Sequence, residues 1–92
     1  MRRQVGGKIP DIEEVAAVAC AVQNMHLTAS AAGLGAKWSS PPICYLPAMN
    51  ELLGLEEEDR CLGLFYVGWP KEDAKTPVSP RKPAAEKVEF VD

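Results

Sequence analysis

Asp11 to Ser40 reads DIEEVAAVACAVQNMHLTASAAGLGAKWSS, and its spacing decides the fold class. Asp11 is placed to cap the first free N–H groups of a helix, and Glu14, three residues on, completes a capping-box spacing. Val15, Val18, Val22, Met25, Ala29 and Ala32 follow in alternating steps of three and four, the seam of an α-helix. Gly33 and Gly35 mark its end, because glycine accepts the left-handed turn after a last carbonyl. A helix from Asp11 to Ala32 is about 33 Å long at about 1.5 Å per residue. Its other sides carry Ile12, Ala16, Ala17, Ala19, Cys20, Ala21 and Leu27, and no charged residue stands between Val15 and Val22. Such a helix is buried on all sides or spans a membrane. The unbroken apolar run is short against the roughly 20 residues a span requires, so no membrane role is expected. The helix therefore asks for partners all round.

Composition narrows what the partners are. A chain of 92 residues makes one domain at most, and 47% hydrophobic with 25% charged residues is ordinary for a globular protein. The formal net charge of −3 and the lack of a basic stripe interleaved with aromatics exclude nucleic acid as the expected partner. Met1-Arg2-Arg3 runs into Gln4-Val5-Gly6-Gly7-Lys8 without an apolar h-region, which reads as a cytoplasmic chain. Cys20, Cys44 and Cys61 are odd in number and widely spaced, fitting reduced thiols rather than a disulfide framework.

In order along the chain, residues 1–10 form a flexible basic lead-in closed by Pro10. After the helix, Trp38-Ser39-Ser40-Pro41-Pro42 reads as a loop, since two prolines exclude regular structure. Leu46 to Leu53 reads as a short helix with Leu46, Met49, Asn50 and Leu53 on one side and Gly54 as its stop. Leu55-Glu56-Glu57-Glu58-Asp59-Arg60 is a solvated acidic connector. Cys61-Leu62-Gly63-Leu64-Phe65-Tyr66-Val67 is an almost continuous apolar run, expected as a strand buried on both faces. Residues 71–83 are a Pro- and Lys-rich linker, and Glu86 to Val91 alternates charged and apolar as an edge strand does. The organisation is thus lead-in 1–10, body 11–70, and linker with extended tail 71–92.

A strand covered on both faces and a helix covered all round need more layers than these elements supply. The expectation is part of a larger fold, or one subunit of an intertwined homodimer or larger oligomer held by the 11–33 helix and the 84–92 tail, which a flexible linker lets reach another subunit.

The residues from Ala16 to Pro70 also resemble a known family. Gln23-Asn24-Met25-His26-Leu27-Thr28-Ala29-Ser30-Ala31-Ala32-Gly33-Leu34-Gly35 comes first. Lys37-Trp38-Ser39-Ser40, Leu52-Leu53-Gly54-Leu55 and Leu62-Gly63-Leu64-Phe65-Tyr66-Val67-Gly68-Trp69-Pro70 follow. This order is similar to the C-terminal half of the nitroreductase family, and Arg81 to Phe90 is similar to its tail. The resemblance implies an α+β, nitroreductase-like fold, here a C-terminal fragment with a long central helix, a short helix, a buried strand and an extended swapped tail. It implies a dimeric flavoprotein that binds FMN at the subunit interface and passes electrons from NAD(P)H through the flavin to nitro compounds or quinones.

For site residues, the resemblance places Trp38, Ser39 and Ser40 in the flavin-contacting loop and Arg81 where a basic tail residue reaches the phosphate. Many relatives carry arginine at the position of Ser39, which removes a charge-assisted bond here. The family's Arg-Arg-Ser phosphate grip has only Arg2-Arg3-Gln4 as an echo. The function implied is an FMN-dependent NAD(P)H oxidoreductase in truncated or partial form, inactive as an isolated chain. The alternative is a non-catalytic dimerisation module that keeps the helix and binds no flavin. No catalytic residue is assigned. His26 reads as an interface histidine, and with the three cysteines it lacks the paired spacing of a metal site.

Overall fold

A computed structural model describes residues 1–4 and 6–92; Val5, in the expected lead-in, lies outside them. The long helix is present as α1, Asp11–Ala31. Its end follows from Gly33 at φ +77°: the Leu34 N–H donates to the Ala29 carbonyl at 2.9 Å and the Gly33 N–H to that of Ser30 at 3.1 Å. These two bonds are the Schellman pattern that consumes a helix's last carbonyls. The expected capping box at the other end is a correction. Pro10 is the N-cap residue and no side chain caps the helix. Glu14 does not reach back to the cap; its carboxylate accepts from Arg3 Nε and from the Gln4 backbone N–H.

Gly35–Ser39 forms a strand, β1, antiparallel to β2, Leu64–Gly68. The register pairs Ala36 with Val67, Lys37 with Tyr66, Trp38 with Phe65 and Ser39 with Leu64. This corrects two expectations. Trp38 and Ser39 stand on a strand rather than in a proline-bounded loop, and the neighbour of the apolar strand is the stretch directly after α1. Pro41 and Pro42 exclude regular structure only after Ser39.

A 3-10 turn, Pro42–Tyr45, leads into α2, Pro47–Leu53. Proline at the first helical position loses no bond, since that N–H has no partner in a helix. Gly54 at φ +63° stops α2, with Leu55 N–H donating to Asn50 O at 2.8 Å.

The two-stranded ribbon lies between two layers. Phe65 meets His26 of α1 edge-on, ring centres 5.0 Å apart at 85°. Side chains alternate along a strand, so Val67 shares that face with Phe65. On the far side Leu64 packs on Cys44, Met49 and Cys61, the buried cluster that joins the 3-10 turn and α2 to the chain entering β2.

Neither α1 nor β2 is enclosed within this chain. Ile12, Met25 and Leu27 are exposed on α1, and Tyr66 and Val67 on β2, where a strand buried on both faces was expected. Two strands and a pair of helices cannot supply the layers. The accessible surface is 8150 Å², against about 5,200 Å² for a compact folded chain of this mass. The radius of gyration is 17.4 Å, against about 12 Å for a compact domain of this length.

Beyond β2 the chain is extended, with one 3-10 turn at Ala84–Glu86 and Val88, Phe90 and Val91 exposed. No hydrogen bond among the described residues joins 71–92 to 1–70, and the alternating tail pairs with no strand of its own chain.

Candidate functional site

The β1–β2 ribbon carries the sequence-derived candidates. Trp38 shares a face with Phe65, and its indole lies over Gly63, diagonal to it across the ribbon. A β-carbon at Gly63, whose φ is +140°, would overlap Trp38 Nε1 and stand 2.7 Å from the Ser39 carbonyl oxygen. Only glycine lets the indole approach this backbone. Ser39 is half-buried opposite Leu64, and Ser40 is exposed just past the strand. Arg81 is not brought to them: its recorded partner is Ser79 Oγ, 3.2 Å from Nε within the same extended segment.

The ribbon adds one candidate to those read from the sequence, Lys37. Lys37 is two positions before Ser39, so on a strand both share the face opposite Trp38. It is exposed and nearer in register to Ser39 than any arginine of the segment after β2. The period-2 signal was available, but reading residues 38–42 as a loop concealed it.

A second cluster, also unread in the sequence, ties the first residues to the acidic connector. Met1 N donates to Arg60 O at 2.7 Å, and Arg60 N–H donates to Met1 O at 2.9 Å. The Arg3 N–H donates to Asp59 Oδ1 at 2.7 Å, and the Glu56 N–H to Asp59 Oδ2 at 3.0 Å. Asp59 is thus buried and bonded within a connector expected to be solvated. These donors, that of Arg3 first, hold its carboxyl below the usual carboxylate range against the opposing effect of burial. Glu14 is likewise held low, chiefly by the Gln4 N–H, with Arg3 adding to it. Arg3 is raised in turn, first by its bond to Glu14. Asp11 accepts ion-pair contacts from Arg3 at 3.2 Å and Arg60 at 3.1 Å. Glu14 and Asp59 find their donors within the chain, while Asp11 Oδ1 is buried without a hydrogen bond and has only its ion-pair contact with Arg3, so the cluster reads as a structural clasp.

His26 packs half-buried against Phe65 of its own chain. Among the described residues no group of His, Cys, Asp and Glu could hold a metal ion. Nor is any helix long and apolar enough to cross a membrane. A concavity of about 650 Å³ lies between α2 and the acidic connector, its wall including Glu51, Glu57, Asp59 and Arg60. Carboxylates outnumber the arginine there, so its field repels a phosphate.

The fit to FMN was tested on the ribbon. A flavin phosphate needs converging, charge-assisted donors. Lys37 offers an exposed cation and Ser39 a half-buried hydroxyl on one face, while Arg81 stands in a segment with no hydrogen bond to it. These residues do not make a complete FMN site within one chain.

The profile of the Nitroreductase family matches residues 1–69. The chain belongs to the nitroreductase family. The match takes in Met1 and Arg3, whose bonds to Arg60 and Asp59 tie them to the acidic connector, and it ends before Arg81. Among relatives, a nitroreductase of Escherichia coli K12, provisionally named as the NAD(P)H nitroreductase YdjA, is 33% identical over 72 residues. That alignment covers 78% of this chain and 39% of the relative. A Bacillus subtilis protein, provisionally named as the NAD(P)H nitroreductase YfhC, is 29% identical over 73 residues, 75% of this chain and 38% of its own length. One from Haemophilus influenzae, with the same provisional activity, is 31% identical over 68 residues, 74% and 37% of the two chains. This nitroreductase-family chain spans about two fifths of the length of the curated relatives it matches.

Proposed function

We propose that this chain works within an FMN-dependent NAD(P)H oxidoreductase of the nitroreductase type, where it supplies one wall of the flavin site and not the whole of it. The edge of β1 forms that wall, with Lys37 and Ser39 toward one face, Trp38 toward the other and Ser40 just past its end, and Arg81 joins it when the tail is docked. NAD(P)H is the electron donor and the flavin carries the electrons; the protein's part is position and electrostatics. A homodimer through the 11–33 helix and the 84–92 tail closes the site. The observation that carries the reading is the family match over residues 1–69, in which every ribbon candidate falls. The exposed apolar residues of α1 and β2 support a partner on those faces.

The magnitude of the missing contacts sets what the isolated chain does. A hydrogen bond to a charged group contributes about 1.5–3 kcal/mol. Two or three fewer such bonds to the phosphate lower affinity by several powers of ten at about 1.4 kcal/mol per tenfold. The purified chain is expected colourless, with NAD(P)H oxidation in added FMN no faster than with free flavin. Adding in trans the part of a relative that this chain does not match restores FMN binding. Trp38→Ala with Ser40→Ala then weakens it, read by quenching of flavin fluorescence. A yellow preparation with stoichiometric FMN refutes the one-wall reading and makes the chain itself a flavoprotein.

A second reading is a non-catalytic dimerisation module of the same fold that binds no flavin. The separation of Arg81 from Ser39 and Ser40 favours it. Dimerisation without FMN binding, even with the complementing part present, decides for it.

A further inference from the structure

We infer that Cys44 and Cys61 are an oxidisable dithiol, which a small-molecule disulfide converts into one intrachain disulfide joining the 3-10 turn before α2 to the chain entering β2. Both residues are buried, Cys44 with only 1% of its surface exposed, and both belong to the cluster that Met49 and Leu64 complete. They are the sole titratable members of that cluster. Both also line the concavity of about 650 Å³ between α2 and the acidic connector, so a small reagent has a route to them. Burial raises the Cys44 thiol, and the neighbouring Cys61 raises it further. Cys20, by contrast, is exposed on α1 and takes no part.

The exchange runs in two displacements. A protein thiolate attacks one sulfur of the reagent, forming a mixed disulfide and releasing one small thiol. The second protein thiolate attacks the protein sulfur of that mixed disulfide and releases the other small thiol. The protein gives up two protons and two electrons, and the reagent's disulfide takes up both to become two thiols. Burial keeps Cys44 protonated, so the reaction is slow near neutrality and quickens as pH rises.

The consequence reaches the ribbon. In the dithiol the Cys61 thiol contacts the Gly63 carbonyl oxygen, sulfur to oxygen 3.6 Å, and a disulfide has no proton to donate there. Gly63 is the residue on which Trp38 rests. The state of the pair is therefore read by the strand ends that carry Trp38 and Ser39.

The test is incubation of the full chain with oxidised glutathione, followed by acid quench, blocking of free thiols and peptide mapping, in native buffer and in denaturing urea. The expected product is a linked Cys44–Cys61 peptide from monomeric chains, its ratio to the mixed glutathione disulfide at least about tenfold higher in native buffer than in urea, because the fold speeds the second displacement. Cys20→Ser leaves the link unchanged, and Cys61→Ser abolishes it. In a Trp69→Phe background the emission of Trp38 shifts on oxidation and returns with a reducing thiol. Three outcomes overturn the inference: Cys44 and Cys61 stay free while Cys20 takes up glutathione, they carry glutathione without a link, or the ratio of link to mixed disulfide is as high in urea.

Discussion

Replacing Gly63 with alanine tests the contact on which the candidate wall is built. Gly63 holds φ +140°, a conformation that side-chain-bearing residues rarely adopt, at a cost of about 1–3 kcal/mol. The added methyl also overlaps Trp38 Nε1 and comes within 2.7 Å of the Ser39 carbonyl oxygen. The indole has room to swing, but the carbonyl belongs to the β1–β2 ladder and has little. Relief of such overpacking costs about 1–3 kcal/mol more. The lower entropy of an unfolded alanine chain offsets about 0.4–1 kcal/mol, leaving a net loss of about 2–5 kcal/mol. Gly54→Ala is the control, since its φ is +63° and nothing stands within 4 Å of the new methyl. That variant carries the left-handed cost alone, about 1 kcal/mol net. Urea titration followed by circular dichroism and tryptophan emission measures both. Gly63→Ala should lower the midpoint by about 1 M or more, well beyond Gly54→Ala, given a denaturant slope of about 1–3 kcal/mol/M. Equal midpoint shifts for the two variants would refute the packing of Trp38 on Gly63.

Acid should open the clasp at the start of the chain. Glu14 and Asp59 are held below their ordinary range, so their contribution is complete above the unfolded values, about pH 4, and fades as pH falls through the folded ones. Amide exchange at Arg3 and Gln4 should therefore quicken below about pH 4 ahead of that in α1, whereas simultaneous loss would show the clasp has no separate role. Val22→Asp puts an unpaired charge into the half-buried seam of α1 and should abolish self-association together with folding. Sedimentation of the unaltered chain as a compact monomer at micromolar concentration would remove the basis for that expectation. Deleting residues 84–92 should weaken dimerisation and leave the helix signal nearly unchanged, because α1 and α2 lie elsewhere. Unchanged association would rule out the exchanged tail.

What the chain's own order of residues determined was local. The steps of three and four from Val15 to Ala29, with glycine at 33 and 54, dictate two helices and their ends, because each helical bond and each Schellman turn closes within a few residues. The likeness of Lys37–Ser40 and Leu62–Pro70 to the nitroreductases is likewise a property of the string. Tertiary structure alone decided that Gly35–Ser39 is a strand, since that stretch has few apolar residues and takes its conformation from pairing with Leu64–Gly68. It alone turned Glu14 from a capping residue into an anchor for Arg3 and Gln4, and Asp59 from a solvated charge into a buried acceptor. The bonds of Met1 to Arg60 and of Arg3 to Asp59 join the start of the chain to residues more than fifty positions away, and no local period carries such information. The separation of Arg81 from Ser39 and the nearness of Cys44 to Cys61 have the same origin: which side chains meet is set by how the layers close, and a linear spacing does not encode it.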